Sequence, residues 1–201
     1  MVGPAVPPVS EATPDGGLHV LVVCTANIAR SPVAAALLAA GWRSAPGIRV
    51  SSAGLRARVG APVDPAMAAL ASVAVPETGA RQVTPELVRS ADLVLTMTAA
   101  QRAAVVGSVP AAVRRTFTLA ELAALAALAA GNDVLPAGGA AQRLAGLLAA
   151  APRLRPLRTP GAHDDIEDPY GRDDVLQRQV AAALEQHTTA LVRAVGPTAS
   201  V

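Results

Sequence analysis

The chain has 201 residues, of which 52% are hydrophobic, 17 are basic and 15 are acidic. This length suits one domain with a full core, and the basic residues are scattered arginines that do not indicate a nucleic-acid partner. The longest apolar runs, such as LAALAALAA from Leu122, are too short to span a membrane, and no signal-peptide pattern opens the sequence, so we expect a cytoplasmic protein.

Four short runs in chain order predict β-strands. Residues 1–17 are rich in proline and glycine and predict a disordered tail. LHVLVV, from Leu18, predicts a buried strand, and a helix follows from about Pro32 to Ala40. Further strands are predicted in GIRVSSAG, in ADLVLTM and in the short RRTFT.

Helices are predicted between and after these strands. Asp64 and Thr84 each precede a proline, which is typical of an N-cap followed by the first helical residue. Thr118 and Glu121 have capping-box spacing. The remaining helices are AAQRAAVVG, TLAELAALAALAAG, AAQRLAGLLAAAP and a last one over about 173–195, preceded by the polar loop RPLRTPGAHDDIEDPYG. Alternating strands and helices predict an α/β fold whose parallel sheet is covered on both faces and binds ligands at the carboxyl ends of its strands.

The only cysteine lies at such an end. In CTANIARS, a strand turns into a helix, and backbone N–H groups at this junction form an anion site. Such a site favours the thiolate of Cys24, a strong nucleophile. Arg30 can hold two oxygens of an oxyanion, and Ser31 can donate to the sulfur. The pattern predicts cleavage of phosphate esters, against the alternative of a buried cysteine beside an exposed arginine.

This loop resembles the signature of low-molecular-weight protein tyrosine phosphatases, Cys-x-Gly-Asn-x-Cys-Arg-Ser-Pro. SSAG, GAPVDPAM, ARQVTPELVRSADLVLTMT, TFTLAEL and DPYG follow in that family's order over roughly residues 18–196. The resemblance implies a three-layer α/β sandwich around a four-stranded parallel sheet, with the phosphate-binding loop after the first strand. It places the phosphatase domain at residues 18–196, with a short tail at 197–201.

The family's functional residues map onto this chain by position. The resemblance implies Cys24 as nucleophile, Arg30 as transition-state clamp and Asp168 of DPYG as general acid. It implies an aromatic wall at Tyr170, with Arg58 about where an aromatic residue commonly lines the pocket. The phosphate-binding loop and its supports would comprise Thr25, Ala26, Asn27, Ile28, Ala29, Ser31 and Ser52, where Ser52 holds Asn27 and Ser31 steadies the thiolate.

A general acid also follows from the chemistry. The phenol released from phosphotyrosine has a pKa of about 10, so a proton donor accelerates its departure. The other carboxylates around Asp168 are expected to form a solvated acidic loop. The single cysteine and the histidines His19, His163 and His187 show no metal-site spacing. We expect no metal and no organic cofactor, because the thiolate and the backbone N–H groups perform the chemistry.

Four positions depart from the family pattern, one of them being GLRARVG, which is one residue short and carries Arg58. Ala26 replaces a glycine, and a positive φ at this position would strain the loop by about 1 kcal/mol or more. Ala29 replaces the second cysteine. Thr78 replaces a histidine that bonds the loop asparagine.

The expected function is hydrolysis of phosphotyrosine in proteins through a phosphocysteine. One alternative is a phosphatase for phosphoarginine, although such enzymes usually have threonine at the position of Ile28. Another is a catalytically weak module of the same fold that binds phosphate or another oxyanion, which Ala26 and Thr78 favour. A thioredoxin-coupled arsenate reductase is excluded because it needs further cysteines. The oligomeric state is left open.

Overall fold

A four-stranded parallel sheet forms the centre of the protein, whose computed structural model describes residues 17–158 and 164–196. The strands lie in the order β2-β1-β3-β4, so the two strands nearest in sequence to the cysteine loop are direct neighbours. This confirms the predicted α/β fold. The strands are β1 Leu18–Cys24, β2 Ile48–Gly54, β3 Leu93–Thr96 and β4 Thr116–Thr118.

Seven α-helices connect and flank the strands. The three predicted N-caps are present: Asp64, Thr84 and Thr118 each accept a hydrogen bond from the backbone N–H three residues on. The helices are α1 Arg30–Gly41, α2 Pro65–Leu70, α3 Pro85–Ser90, α4 Ala99–Ser108, α5 Leu119–Gly131, α6 Ala140–Leu154 and α7 Asp174–Val195, with 3₁₀ turns at Pro110–Arg115 and Arg155–Leu157.

Three details differ from the sequence prediction. Helix α1 begins at Arg30, two residues before the predicted Pro32. A proline is tolerated in the first turn, because the N–H that it lacks would have no partner within the helix. The arginines of RRTFT close a 3₁₀ turn and leave only three residues in β4. The carboxylate of Glu121 bonds Arg155 Nε at 2.8 Å, so the predicted capping box is half formed.

The side chains of β1 alternate between two buried clusters on opposite faces of the sheet. Val20 and Val22 pack with residues of α1, α5, α6 and α7. Leu21 and Val23 pack with residues of α3 and α4. This alternation produces three layers, as expected for a parallel sheet buried on both faces.

Because all strands are parallel, their carboxyl ends lie at one edge. Cys24 ends β1 directly beside Gly54, which ends β2. The acidic segment before α7 reaches the same edge, where Ile166 N–H donates to Met97 O at 2.8 Å, just past β3. The fold thus brings DPYG next to the cysteine loop.

The two predicted tails, residues 1–17 and 197–201, lie outside the described residues apart from Gly17. Across residues 17–158 and 164–196, we find no helix whose length and apolarity would let it cross a membrane.

Candidate active site

The loop between β1 and α1 is held in shape by Asn27. This residue has a φ of 58°, in the left-handed region that asparagine tolerates better than most residues. Its Nδ2 donates to Ser31 Oγ and to Ser52 Oγ, both at 2.9 Å, and its Oδ1 accepts from Arg81 N–H at 2.9 Å. The buried amide is therefore bonded on both ends, and it ties the loop to β2 and to the segment before α3.

The carbonyl groups of the loop point away from its hollow into bonds with neighbouring backbone. The donors are backbone N–H groups of the segment that joins β2 to α2. The four bonds, of 2.7 to 3.1 Å, run from Leu55 N to Cys24 O, Arg56 N to Thr25 O, Arg58 N to Ala26 O and Asp64 N to Ile28 O.

The N–H groups of the same loop have no such partners. No acceptor within residues 17–158 and 164–196 bonds the N–H groups of residues 25–30. Ala29, the N-cap of α1, also supplies no side-chain cap. Buried amides require an acceptor, and a helix N-terminus favours a negative one. The loop therefore presents a row of N–H groups without acceptors, an arrangement suited to an oxyanion.

Cys24 lies at the base of this loop with 2% of its surface exposed. Its Sγ is 3.0 Å from Ser31 Oγ. Because an amide NH₂ only donates, Ser31 Oγ accepts from Asn27 and keeps its own hydrogen for another acceptor. Its two possible acceptors are Ala53 O at 3.5 Å and Cys24 Sγ at 3.0 Å, and a thiolate would be the stronger of the two.

Arg30, the first residue of α1, is 3% exposed and faces the segment that carries Asp168. Its Nη1 donates to Ile166 O at 2.9 Å, and its Nη2 lies 2.5 Å from Asp168 Oδ2. Its buried Nε has no hydrogen-bond partner among the described residues. The guanidinium is thus fixed in place while one of its buried donors is left without an acceptor.

A hollow of about 210 Å³ lies over the sulfur. Arg58 and Tyr170 form its rim, where Arg58 Nη1 donates to Tyr170 Oη and the tyrosine is half exposed. The structure gathers around it the predicted residues Cys24, Thr25, Ala26, Ile28, Ala29, Arg30, Arg58, Asp168 and Tyr170. Ser31, Ser52 and Asn27 lie behind the loop as its supports.

Three other carboxylates near Asp168 have separate contacts. Asp164 pairs with Arg158, Asp165 accepts from Ala99 N–H at 2.7 Å, and Asp173 caps α7. Asp168 is the carboxylate that meets Arg30.

Four supports of the site were missed by the sequence analysis. Gln101, only 7% exposed, donates to Thr25 Oγ1 at 3.1 Å and accepts from Met97 N–H. Arg81 contributes a backbone N–H to Asn27, and Ile166 anchors the acidic segment. Gly54 is the fourth support, because it ends β2 beside Cys24. The role of Ile166 could have been found from the sequence, because an apolar residue within the acidic run DDIEDP indicates an anchor. The contacts of Gln101 and Arg81 could not, because they depend on which strands are neighbours.

Two of the departures from the family pattern have local explanations. The described non-glycine residues with positive φ are Asn27 and Asp133, so Ala26 does not have the positive φ that would have strained the loop. Thr78 is exposed, and the Asn27 oxygen is instead bonded by the Arg81 N–H. Neither position leaves the loop asparagine short of a partner.

Gly54 is required where β2 passes the catalytic loop. A Cβ there would lie 2.7 Å from Thr25 O and 3.0 Å from both Ala26 C and Asn27 N. Because all three atoms are backbone, Gly54→Ala is expected to cost about 1–3 kcal/mol of unfolding free energy and to displace the loop. Urea unfolding measures the first effect and phosphate affinity the second.

Gly107 provides the matched control for that substitution. It lies in α4, and an added Cβ there meets no atom within 4 Å. Gly107→Ala should leave phosphate affinity unchanged and raise stability by up to about 1 kcal/mol. Equal behaviour of the two variants would contradict the close-approach interpretation.

The described residues contain no group of three or more His, Cys, Asp or Glu side chains that could hold a metal ion.

A family model and the similar proteins indicate the same family. The sequence model described as "Low molecular weight phosphotyrosine protein phosphatase" matches residues 19–130. The chain is 41% identical over 106 residues to the probable low molecular weight protein-tyrosine-phosphatase EpsP of Ralstonia nicotianae, covering 51% of this chain and 71% of that protein. It is 46% identical over 81 residues to Wzb of Salmonella typhi, covering 39% of this chain and 52% of that protein.

Solved structures share the fold. The tyrosine phosphatase Wzb from Escherichia coli K30, solved with sulphate, superposes with a TM-score of 0.63 at 22% identity, covering 89% of this chain and 98% of that chain. The YwlE arginine phosphatase from Geobacillus stearothermophilus superposes with a TM-score of 0.63 at 26% identity, covering 88% and 91% respectively.

Proposed function

Because the chain belongs to the low-molecular-weight phosphotyrosine protein phosphatase family, we propose that it hydrolyses phosphotyrosine in proteins through a phosphocysteine intermediate. The observation that carries this proposal is the set of six loop N–H groups without acceptors, next to both Cys24 Sγ and the open Nε of Arg30. The proposed phosphatase domain comprises residues 18–196.

In the first step, the Cys24 thiolate attacks phosphorus and the bond from phosphorus to the tyrosyl oxygen breaks. Asp168 gives its proton to the departing oxygen, which leaves as a neutral phenol. The loop N–H groups and Arg30 bind the three equatorial oxygens, on which negative charge is spread in the transition state.

In the second step, a water molecule attacks the phosphorus of phosphocysteine. The Asp168 carboxylate takes a proton from this water, and the bond between phosphorus and sulfur breaks. The electron pair returns to Cys24 Sγ, where the Ser31 hydroxyl at 3.0 Å stabilises the thiolate. Inorganic phosphate leaves, and Asp168 is protonated again for the next cycle.

Phosphotyrosine is favoured as substrate by the relatives named above and by the walls of the hollow. Ile28 and the Tyr170 ring provide apolar surface for an aromatic side chain. A phosphoarginine phosphatase is the second candidate, because a solved arginine phosphatase superposes over most of both chains at 26% identity.

The test is initial rates of the purified protein, in a metal chelator, on p-nitrophenyl phosphate and on matched peptides with phosphotyrosine or phosphoarginine. We expect turnover of the nitrophenyl ester and a kcat/KM that is higher for phosphotyrosine. A higher kcat/KM for phosphoarginine would replace the first candidate by the second, and Ile28→Thr would then increase that preference. Binding of vanadate without turnover of any substrate would favour the oxyanion-binding module.

Oxidation gives an independent prediction, because the chain contains a single cysteine. The sulfenic acid of Cys24 has no second thiol in the chain, and its burial keeps it from the thiol of another copy. Prolonged peroxide is therefore expected to produce sulfinic and sulfonic acids, whose activity dithiothreitol does not restore.

Recovery of activity after dithiothreitol, with intact mass from mass spectrometry, measures this outcome. Saturating phosphate during the exposure should protect the enzyme. Complete recovery after long peroxide treatment would contradict the prediction.

A further inference from the structure

A second depression adjoins the catalytic hollow on the side of α4. The two share Thr25, Arg30 and Asp168, so they are direct neighbours. The depression has a volume of about 800 Å³, within the range of sites that hold a drug-sized ligand. Ala100 and Ala104, four residues apart on one side of α4, form its floor, and their small side chains leave the groove open.

The lining of this groove carries charges of both signs. Arg56 comes from the segment after β2, and its backbone N–H donates to Thr25 O at 2.8 Å, which fixes its backbone beside the cysteine loop. Asp165 and Glu167 come from the acidic segment before α7. The side chains of Arg56 and Glu167 are exposed and have no bonding partner within the described ranges.

The groove is also lined by Arg30 and Asp168, but their charges are paired with each other. Arg56 is therefore the cation of the groove that no carboxylate of the described chain neutralises. A guanidinium in this state binds a carboxylate in bidentate fashion. Asp165 and Glu167 repel a carboxylate, so an acidic side chain in the groove has one favourable place, against Arg56.

We propose that this groove binds the polypeptide next to the phosphotyrosine of the substrate, and that Arg56 selects for an acidic residue there. The proposal rests on the proposed function, whose substrate it specifies. Arg56 contributes to substrate choice through the flanking residues, whereas Cys24, Arg30 and Asp168 act on the phosphoryl group itself.

The experiment compares two phosphotyrosine peptides that differ only in whether the residues beside the phosphotyrosine are glutamate or glutamine. Their dissociation constants are measured on the Cys24→Ser protein, which binds without turnover, and kcat/KM is measured on the wild type. With Arg56 present, the glutamate peptide should be favoured by about 3- to 10-fold, as for a partly exposed ion pair. Arg56→Gln should bring this ratio close to one, and Arg56→Glu should invert it.

Arg153→Glu serves as the charge-matched control, because Arg153 is exposed on α6, outside the residues that line the groove. Its ratio should equal that of the unsubstituted protein. A ratio that stays the same in both Arg56 variants would overturn the proposal, as would an equal loss in Arg153→Glu.

Turnover of p-nitrophenyl phosphate separates this proposal from the function on which it rests, because that ester has no flanking residues. If p-nitrophenyl phosphate is fully turned over but the ratio between the two peptides does not depend on Arg56, the proposal for the groove is overturned and the proposed phosphatase function stands. Absent turnover with an Arg56-dependent dissociation constant would support the groove and overturn hydrolysis.

Discussion

Cys24→Ser is expected to lower kcat on p-nitrophenyl phosphate by on the order of 10⁴-fold or more. A serine hydroxyl is a far weaker nucleophile than a thiolate unless a base removes its proton. The side chain that contacts Cys24 Sγ is the hydroxyl of Ser31, which is no base. The loop N–H groups and Arg30 are unaffected, so the substitution removes the attacking group and preserves the oxyanion site.

Phosphate or vanadate binding is the control for this variant. Cys24→Ser should retain the increase in melting temperature that these anions cause in the wild type, because binding to the folded state stabilises it. Retained anion binding with lost turnover assigns the defect to the nucleophile. Undiminished turnover would remove Cys24 from the mechanism.

Asp168→Ala should slow phosphotyrosine cleavage by about 10²- to 10⁴-fold, the range for a positioned general acid. The effect on p-nitrophenyl phosphate should be clearly smaller, because nitrophenolate leaves readily without a proton. KM should not rise, since Asp168 Oδ2 lies 2.5 Å from Arg30 Nη2 and its removal releases a donor to the phosphoryl group. Steady-state kinetics on both esters measures all three expectations.

Asp168→Asn is the matched variant for that experiment. The amide has nearly the same shape as the carboxylate but supplies no acidic proton, so it should reproduce the loss on phosphotyrosine. Equal losses on both esters would indicate a displaced segment instead of a missing proton. An unchanged rate on both would remove Asp168 from the mechanism, and Asp165, which accepts from Ala99 N–H, would be the next acid to test.

Features encoded in short segments could be predicted from the sequence. The apolar run before Cys24 predicted β1, and the residues Asp64, Thr84 and Thr118 predicted the starts of three helices. These elements depend on local hydrophobic pattern and on caps formed within four residues, both of which a single sequence displays. The positions of the nucleophile and the clamp come from one short motif and that of the acid from another, DPYG, so these roles stay predictions of the family resemblance.

Features that depend on strand order could not be predicted in this way. Gln101 meets Thr25 because β3 lies beside β1, and Gly54 must be small because β2 ends beside the loop. The Arg81 N–H reaches Asn27 across 54 positions of chain. Neither periodicity nor composition determines which strands are neighbours, so contacts of this kind require the fold.

The attachment of the acidic segment bears on how this fold can diverge. Ile166 bonds Met97 through its N–H and Arg30 through its carbonyl oxygen, so Asp168 is positioned by contacts made at its own neighbour. The chain between α5 and Ile166, including α6, therefore does not set the position of Asp168 by its length. Insertions and deletions there are compatible with the same contacts of Ile166, and the family match ends at residue 130, one residue before the end of α5. Selection can therefore change the length of this stretch while the attachment of the acidic segment is kept.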